Sequence, residues 1–345
     1  MKHKFLKKTC IISGIIFIIA GLAGSAFIWH MVQFTRTPFS SSTVKVPEPN
    51  KIIFHINPGE SLLKISKNLE HEKIIKSSLL FQLYTRFTGD AGRLKAGEYT
   101  LSASMPPEKI LQLIVKGKVK LYKLTIPEGL TIKETAKLVE KADFGTEENF
   151  ISAARDKKFA KKMGIKADSF EGYLFPETYF FPKNATAKDI IIKMVKRFNI
   201  VFTPQWKNRG KEIGLSLHKI VILASIIEKE TGDASERPII SSVFHNRLKK
   251  GMRLESDPTV IYGIPDFNGN ITRKDLRTIT PYNTYKIKGF PLGPIANPGK
   301  MSLKAALFPA ETNYIFFVAK KDTTHKFSKN IREHNRAVRK YQLNH

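Results

Sequence analysis

Cysteine is nearly missing from this chain of 345 residues: the single thiol, Cys10, lies inside an apolar run near the start. Everything downstream therefore lacks disulfide staples, thiolate metal sites and cysteine nucleophiles, and its chemistry must use oxygen and nitrogen groups. Negative charge is scarce as well, with 30 acidic residues against 58 Lys and Arg and a net charge of +28. Such an excess favours anionic partners: nucleic acid, phospholipid headgroups or carboxylate-bearing polymers. Of these, nucleic acid has the least support. The basic residues are scattered, with no long Lys/Arg tract and no zinc-finger or RNP pattern. His325 and His334 lack a metal-ligand spacing such as HExxH, so no metal and no cofactor is expected.

What is present begins with a membrane signature. Lys2, His3, Lys4, Lys7 and Lys8 precede an uncharged apolar run from Cys10 to Trp29. About 20 helical residues span about 30 Å, the thickness of a hydrocarbon core. The basic flank puts residues 1–9 in the cytoplasm and everything beyond the membrane helix, residues 10–32, outside. A cleaved signal peptide is the alternative, because Ala23, Ser25 and Ala26 form a small-residue cleavage pattern. The run is long for a signal, however, and continues through Phe27, Ile28 and Trp29, which favours a retained anchor. Lys7, Lys8 and Thr9 before the cysteine argue against a lipoprotein.

Residues 33–50, with Ser40-Ser41-Ser42 and prolines 38, 47 and 49, read as an extended linker that lifts the globular part off the bilayer. A first module, 51–118, opens with the strand pattern Ile52–Ile56, the turn Pro58-Gly59-Glu60 and a helix capped by Ser61. The arrangement recurs about 70 residues on: strand Tyr122–Ile126, Gly129, then Thr131 with Glu134 in a capping box. The first copy resembles a LysM module, a small fold that binds N-acetylglucosamine polymers. The alternative is a generic strand–turn–helix.

The second domain, 119–345, holds the informative residues. Leu217, Ile220, Ile222, Leu223 and Ile226 go nearly all the way round a helical wheel, which predicts a buried helix within Leu215–Gly232. Ser216 is its expected N-cap, and Gly232 is expected to end it in the left-handed conformation. Its last turn carries Glu228 and Glu230. A carboxyl at a helix C-terminus among apolar residues holds its proton tightly, as a glycosidic general acid must. The two lie 200° apart and cannot share one site. On these arguments either is the acid, or both are solvated at a fraying end. Downstream, a hairpin over 314–328 and a closing helix, 330–341, complete an α+β pattern.

Longer motifs follow one another in order: Ser169–Tyr179 (SFEGYLFPETY), Ala224–Thr231 (ASIIEKET), Val243–Leu248 (VFHNRL), Gly251–Gly263 (GMRLESDPTVIYG), Pro281–Tyr285 (PYNTY) and Gly289–Gly299 (GFPLGPIANPG), then His325-Lys326-Phe327 and His334-Asn335. The series resembles the endolytic murein transglycosylase (YceG-like) family from about Lys51 to Tyr341. The resemblance implies a YceG-like mixed α/β catalytic domain and, as the acid/base, the second glutamate of EKET, Glu230. It implies cleavage of the MurNAc–GlcNAc β-1,4 bond of nascent glycan strands to 1,6-anhydro ends, with peptidoglycan strands as partner. It further suggests peptidoglycan synthases as partners and a single-pass protein of the inner membrane with its catalytic domain on the periplasmic side.

Tyr173, Glu177, Asn246, Arg247, Asp257, Thr259, Tyr262, Asn283 and Tyr285 are candidates to bond or stack on sugar, though each taken alone is more often structural. Gly172, Gly263, Gly293 and Gly299 read as loop shapers. His245, Glu255, Phe290 and Leu292 depart from the family pattern, and His245 and Leu292 bear on how a groove grips sugar. Competing readings are a muramidase-type hydrolase, with Glu177 or Asp257 as second carboxylate, and a non-catalytic wall-binding scaffold.

Overall fold

The structure, a computed structural model, describes residues 2–40 and 51–343, and these divide into two compact units. The first comprises the residues up to Tyr122 with Pro182–Asn184. It contains α1 (Lys2–Arg36), β1 (Lys51–Ile56), α2 (Leu62–His71), α3 (Ser78–Phe87), β2 (Gly97–Ser102) and α4 (Pro107–Lys116). β1 and β2 pair antiparallel from Lys51 opposite Ser102 to Ile56 opposite Gly97. Phe54, Ile65, Leu69, Phe81, Tyr99 and Ile110 form the core between sheet and helices.

One expectation fails here. The helix starts at Lys2, within the expected tail, and runs through Arg36 into the expected linker. Phe34 and Thr35 are 7% exposed, with Phe34 in the unit's core. Nothing in the sequence breaks the helix before Pro38, which disfavours helical backbone at Thr37. Just after it, the Ser40 N–H donates to the Ala103 carbonyl at 3.0 Å. Residues 33–40 are thus helix and docked chain; the rest of the expected linker, 41–50, lies outside the described residues. Residues 15–36 have the length and hydropathy of a membrane span, and the most apolar 18-residue window within them has no buried residue.

The second unit, Lys123–Phe181 with Ala185–His345, holds most of β3 (Tyr122–Thr125), then α5 (Ile132–Lys141), α6 (Glu147–Ala154), α7 (Lys157–Lys162), β4 (Thr178–Phe181), α8 (Ala187–Val201), α9 (Pro204–Glu212) and α10 (Leu217–Glu230). It continues with α11 (Arg237–Lys249), α12 (Asp257–Tyr262), α13 (Arg273–Arg277), α14 (Lys300–Leu307), β5 (Phe316–Ala319), β6 (His325–Ser328) and α15 (Ile331–Val338), closing in a π-turn. Its strands form two separate pairs, β3 with β4 and β5 with β6, so the fold is mixed α/β without a doubly wound sheet. Thr131 and Glu134 make the expected capping box on α5.

α10 is the axle. Every residue from Ile220 to Ile227 is buried, and the helix packs chiefly on α14, with α11 and α12 alongside. Its one polar residue in that stretch, Ser225, is satisfied at both ends: the hydroxyl donates to Ile222 O and accepts the Ile295 N–H at 3.0 Å. Gly172 (φ +85°) lies against α10's Val221 and Pro294, so closely that a Cβ would sit 2.6 Å from both. A side chain there meets steric clash and left-handed backbone together. Gly172→Ala should therefore lower unfolding free energy by about 3 kcal/mol, and denaturant titration measures it. A loss under about 0.5 kcal/mol would mean that the contact yields freely.

Candidate active site

The two glutamates at the end of α10 meet opposite surroundings. Glu228 forms an ion pair with Arg237 at 3.3 Å, the two side chains being 6% and 11% exposed. Its other oxygen accepts the Gly299 N–H at 2.8 Å, at the N-cap of α14, where the helix field favours an anion. This carboxylate is fully employed in holding three segments together.

Among the described residues Glu230 has no cation within ion-pair distance. Its hydrogen bond comes from the Ser256 hydroxyl, donated to Oε1. Burial pushes its carboxyl up to about 7; the Ser256 hydrogen bond opposes the shift, the charge of Asp257 adds to it, and Arg247 reduces it. The expectation that both acids could be solvated at a fraying end is overturned. So is the left-handed Gly232: the helix stops because Thr231 turns extended (φ −141°, ψ 138°), its hydroxyl accepting the Asp233 N–H at 3.0 Å.

Glu230 opens on a cleft of about 600 Å³. Arg247, Glu255, Asp257, Tyr285, Phe316, His325, His334 and Asn335 are among the residues that line it. Of the sequence-derived candidates the structure gathers four here: Glu230, Arg247, Asp257 and Tyr285. Arg247 is a wall rather than a free hand. Its guanidinium donates to the carbonyls of Ile315, Arg253 and Leu254 and to Glu255, and it lies 5.1 Å over the Phe316 ring. Tyr285 donates its hydroxyl to Asp257 at 2.7 Å.

The remaining candidates do not line this cleft. Tyr173, 1% exposed, is a core residue whose hydroxyl bonds His218 Nδ1 at 2.9 Å. Glu177 is engaged by Arg197 through two contacts, at 2.5 and 3.0 Å. Asn246 donates to the carbonyls of Thr312 and Tyr314. Tyr262 donates to Glu171 at 3.0 Å. Asn283, fully buried, ties the Asp275, Leu276 and Thr278 carbonyls together. Each has its polar group engaged by a partner in the fold, Glu177 in a half-exposed ion pair. Thr259 is buried too, yet it acts on the site at one remove. Its hydroxyl lies 2.6 Å from Ser256 O and 2.8 Å from that of Thr284, which in turn accepts the Ser256 N–H. That lattice fixes the turn presenting Ser256 to Glu230, at a point where Glu255 carries a left-handed φ of 51°.

Ser256 is the site residue the sequence reading missed. Ser-Asp-Pro announces a helix N-cap, and a cap serine ordinarily spends its hydroxyl on its own helix. Here no side-chain cap bond forms on α12, leaving the hydroxyl for Glu230. A second pair was also missed: His325 Nδ1 lies 2.6 Å from Glu236 Oε2, and the His325 backbone N–H donates to Glu236 Oε1 at 2.9 Å.

A second buried acid lies away from the cleft. Glu171 accepts from Ile132 N–H, Asn297 Nδ2 and the Tyr262 hydroxyl, yet burial still pushes it up to about 7. Raised carboxyls stabilise the fold fully below their ordinary range, about 4.5, and that contribution is lost as pH rises through about 7. The ionisation of Glu171 then costs on the order of 3 kcal/mol at pH 8. Glu171→Gln should therefore gain on the parent as pH rises from 5 to 8, read by urea unfolding in detergent micelles. Parallel profiles for the two proteins would refute this.

Comparison with known proteins gives a consistent picture. The YceG-like family model matches residues 54–340. A Bacillus subtilis (strain 168) protein named endolytic murein transglycosylase is 35% identical over 314 residues, covering 86% of this chain and 87% of its own. A protein of the same name from Streptococcus pneumoniae serotype 2 is 27% identical over 96% of this chain, which spans 65% of that longer relative. The crystal structure of a yceG-like protein from Listeria monocytogenes superposes with a TM-score of 0.58 at 36% identity, covering 84% of this chain and 99% of that one.

Proposed function

The chain belongs to the YceG-like family, and on that premise we propose that it is a membrane-anchored endolytic lytic transglycosylase of peptidoglycan with Glu230 as its acid/base. The observation that carries the reading is a single half-buried carboxyl, raised to about 7 and with no paired cation among the described residues, facing an open cleft. Protonated, Glu230 gives its proton to the oxygen leaving C1 of N-acetylmuramic acid as the β-1,4 bond to N-acetylglucosamine breaks. The carboxylate then takes the proton from that sugar's 6-hydroxyl while O6 bonds to C1. The 1,6-anhydro ring closes, no water is consumed, and the acid is regenerated. One residue performs both transfers.

The apolar helix supports an anchor in the cytoplasmic membrane, with the chain from residue 51 onward on its outer side, near newly made strands. Peptidoglycan synthases are natural neighbours there. The strand–turn–helix of the first unit, with Gly59 at φ +77°, supports reading 51–118 as a LysM-like glycan-binding module. The test is mass spectrometry of the fragments released from purified strands: anhydro-muramyl ends are expected, and reducing ends would overturn the lytic mechanism.

One observation favours a second reading. Asp257 shares the cleft with Glu230, so a two-carboxylate hydrolysis has its groups in one place. The same product analysis separates the two. Because the acid must be protonated, kcat/KM should fall about tenfold per pH unit above about 7. A rate still flat at pH 9 would exclude Glu230 as the acid.

A further inference from the structure

α3 shows two apolar faces where a helix of a small soluble module needs one. Phe81 and Thr85 are fully buried in the core of the first unit. On another face Leu79, Leu83 and Phe87, spaced i, i+4 and i+8, form a stripe with no core behind it. Leu79 is 63% exposed and Phe87 88%. Leu83 and Phe87 also face α1: with Phe27, Ile28, Met31 and Val32 they line an apolar groove of about 270 Å³. The stripe is therefore continuous with the exposed apolar surface of α1.

We infer that α3 is a second membrane contact: Leu79, Leu83 and Phe87 enter the headgroup–acyl boundary of the leaflet from which α1 emerges. The inference rests on α1 being a membrane-spanning anchor. Three observations point to lipid. First, α1 joins the module without slack, since Phe34 belongs to the module's core and Met31 packs against it. A module docked on the last turns of a spanning helix is held at the bilayer surface. Second, lipid is what the rest of α1's apolar surface would meet, and the groove is open to the same side chains. Third, the charge fits an anionic surface, with twelve Lys and Arg against six Asp and Glu between residues 51 and 122. Exposed Lys76 and Arg86 stand near the two ends of the stripe in sequence, where their stems can lie along apolar surface with the charge among headgroups. Two attachment points in place of one would fix the tilt of the module on the bilayer, where a lone anchor leaves it free to swivel.

The test uses the full chain with Cys10→Ser, reconstituted in vesicles of phosphatidylcholine and phosphatidylglycerol. Single cysteines at Phe17→Cys, Leu79→Cys, Phe87→Cys and Ile53→Cys carry a bimane label, quenched by lipids with brominated acyl chains. Ile53 is an exposed apolar control on β1, 43% exposed and outside the groove. The expected result is loss of most fluorescence at 17, 79 and 87 and little at 53. Quenching at 17 alone would overturn the second contact while leaving the anchor intact, and no quenching at 17 would instead remove the anchor beneath it. Efficient 87-to-87 disulfide formation in dilute vesicles, without quenching at 79 and 87, would assign the stripe to a second copy of the chain and overturn the lipid assignment.

Discussion

Glu230→Gln should lower the rate of glycan-strand cleavage by at least about a thousandfold while leaving unfolding stability equal to or above the parent's. General acid–base catalysis contributes roughly 10²–10⁴ per group, and here one group supplies both the proton that leaves and the base that returns it. The amide keeps the shape and can still accept the Ser256 hydroxyl, so the fold has no reason to suffer. It also removes a carboxyl whose ionisation is disfavoured by burial, so the variant should gain stability above pH 7. Loss of activity with gain of stability is a signature that a structural glutamate would not give. Two companions sharpen it. Glu230→Asp withdraws the carboxyl by one methylene and should cost about a hundredfold, the scale of a 1 Å misplacement. Ser256→Ala removes a hydrogen bond that favours the charged form, so the alkaline limb of the pH–rate profile should move upward. A Glu230→Gln enzyme that still releases fragments at the parental rate, with contaminating lytic enzyme excluded, would sink the assignment and favour a wall-binding scaffold.

The sequence carried α10 well because burial on all sides makes a helix apolar nearly all the way round. Eight consecutive residues, Ile220 to Ile227, are apolar or small and all are buried. Caps were legible for the same local reason: Ser61, Thr131 and Ser216 each accept the expected N3 amide. Which glutamate is the acid was not legible from the helix. The decision lies with Arg237 and Gly299, respectively 9 and 71 residues from Glu228, which neutralise it and leave Glu230 as the exception. The resemblance to a family supplied Glu230; the packing supplies a physical reason. Candidates chosen by residue type fared unevenly. Tyr173 and Asn283 look like sugar-binding residues, but a buried hydroxyl or amide must find partners, and these find them within the fold. The linker was misread at its start because Gln33–Arg36 is polar enough for a tether yet places Phe34 where the module's core can take it.

The Glu228–Arg237 pair should be the most stability-critical ion pair near the site. Arg237→Met leaves Glu228 buried with one backbone amide as its remaining partner, and stripping one member of a buried pair costs about 3–5 kcal/mol. Glu228→Gln should cost less, since the amide oxygen can still accept the Gly299 N–H and Arg237 is left as the only misfit. Its guanidinium is already imperfectly served, with Nε buried and unbonded. Combining Glu228→Gln with Arg237→Met removes both charges and should recover a large part of the single Arg237→Met loss, because a neutral pair of similar volume has no charge to desolvate. Denaturant unfolding of the three variants reads this cycle. If Arg237→Met proves as stable as the parent, Glu228 must be solvated, and Arg237 and Gly299 no longer distinguish it from Glu230. The link to catalysis is geometric. Glu228 anchors Gly299, the N-cap of α14, against the last turn of α10, two residues before the acid. Loosening that joint should lower kcat in the Arg237→Met variant even at temperatures where the protein remains folded, whereas the pH at which activity falls should stay near 7, because the surroundings of Glu230 itself are untouched.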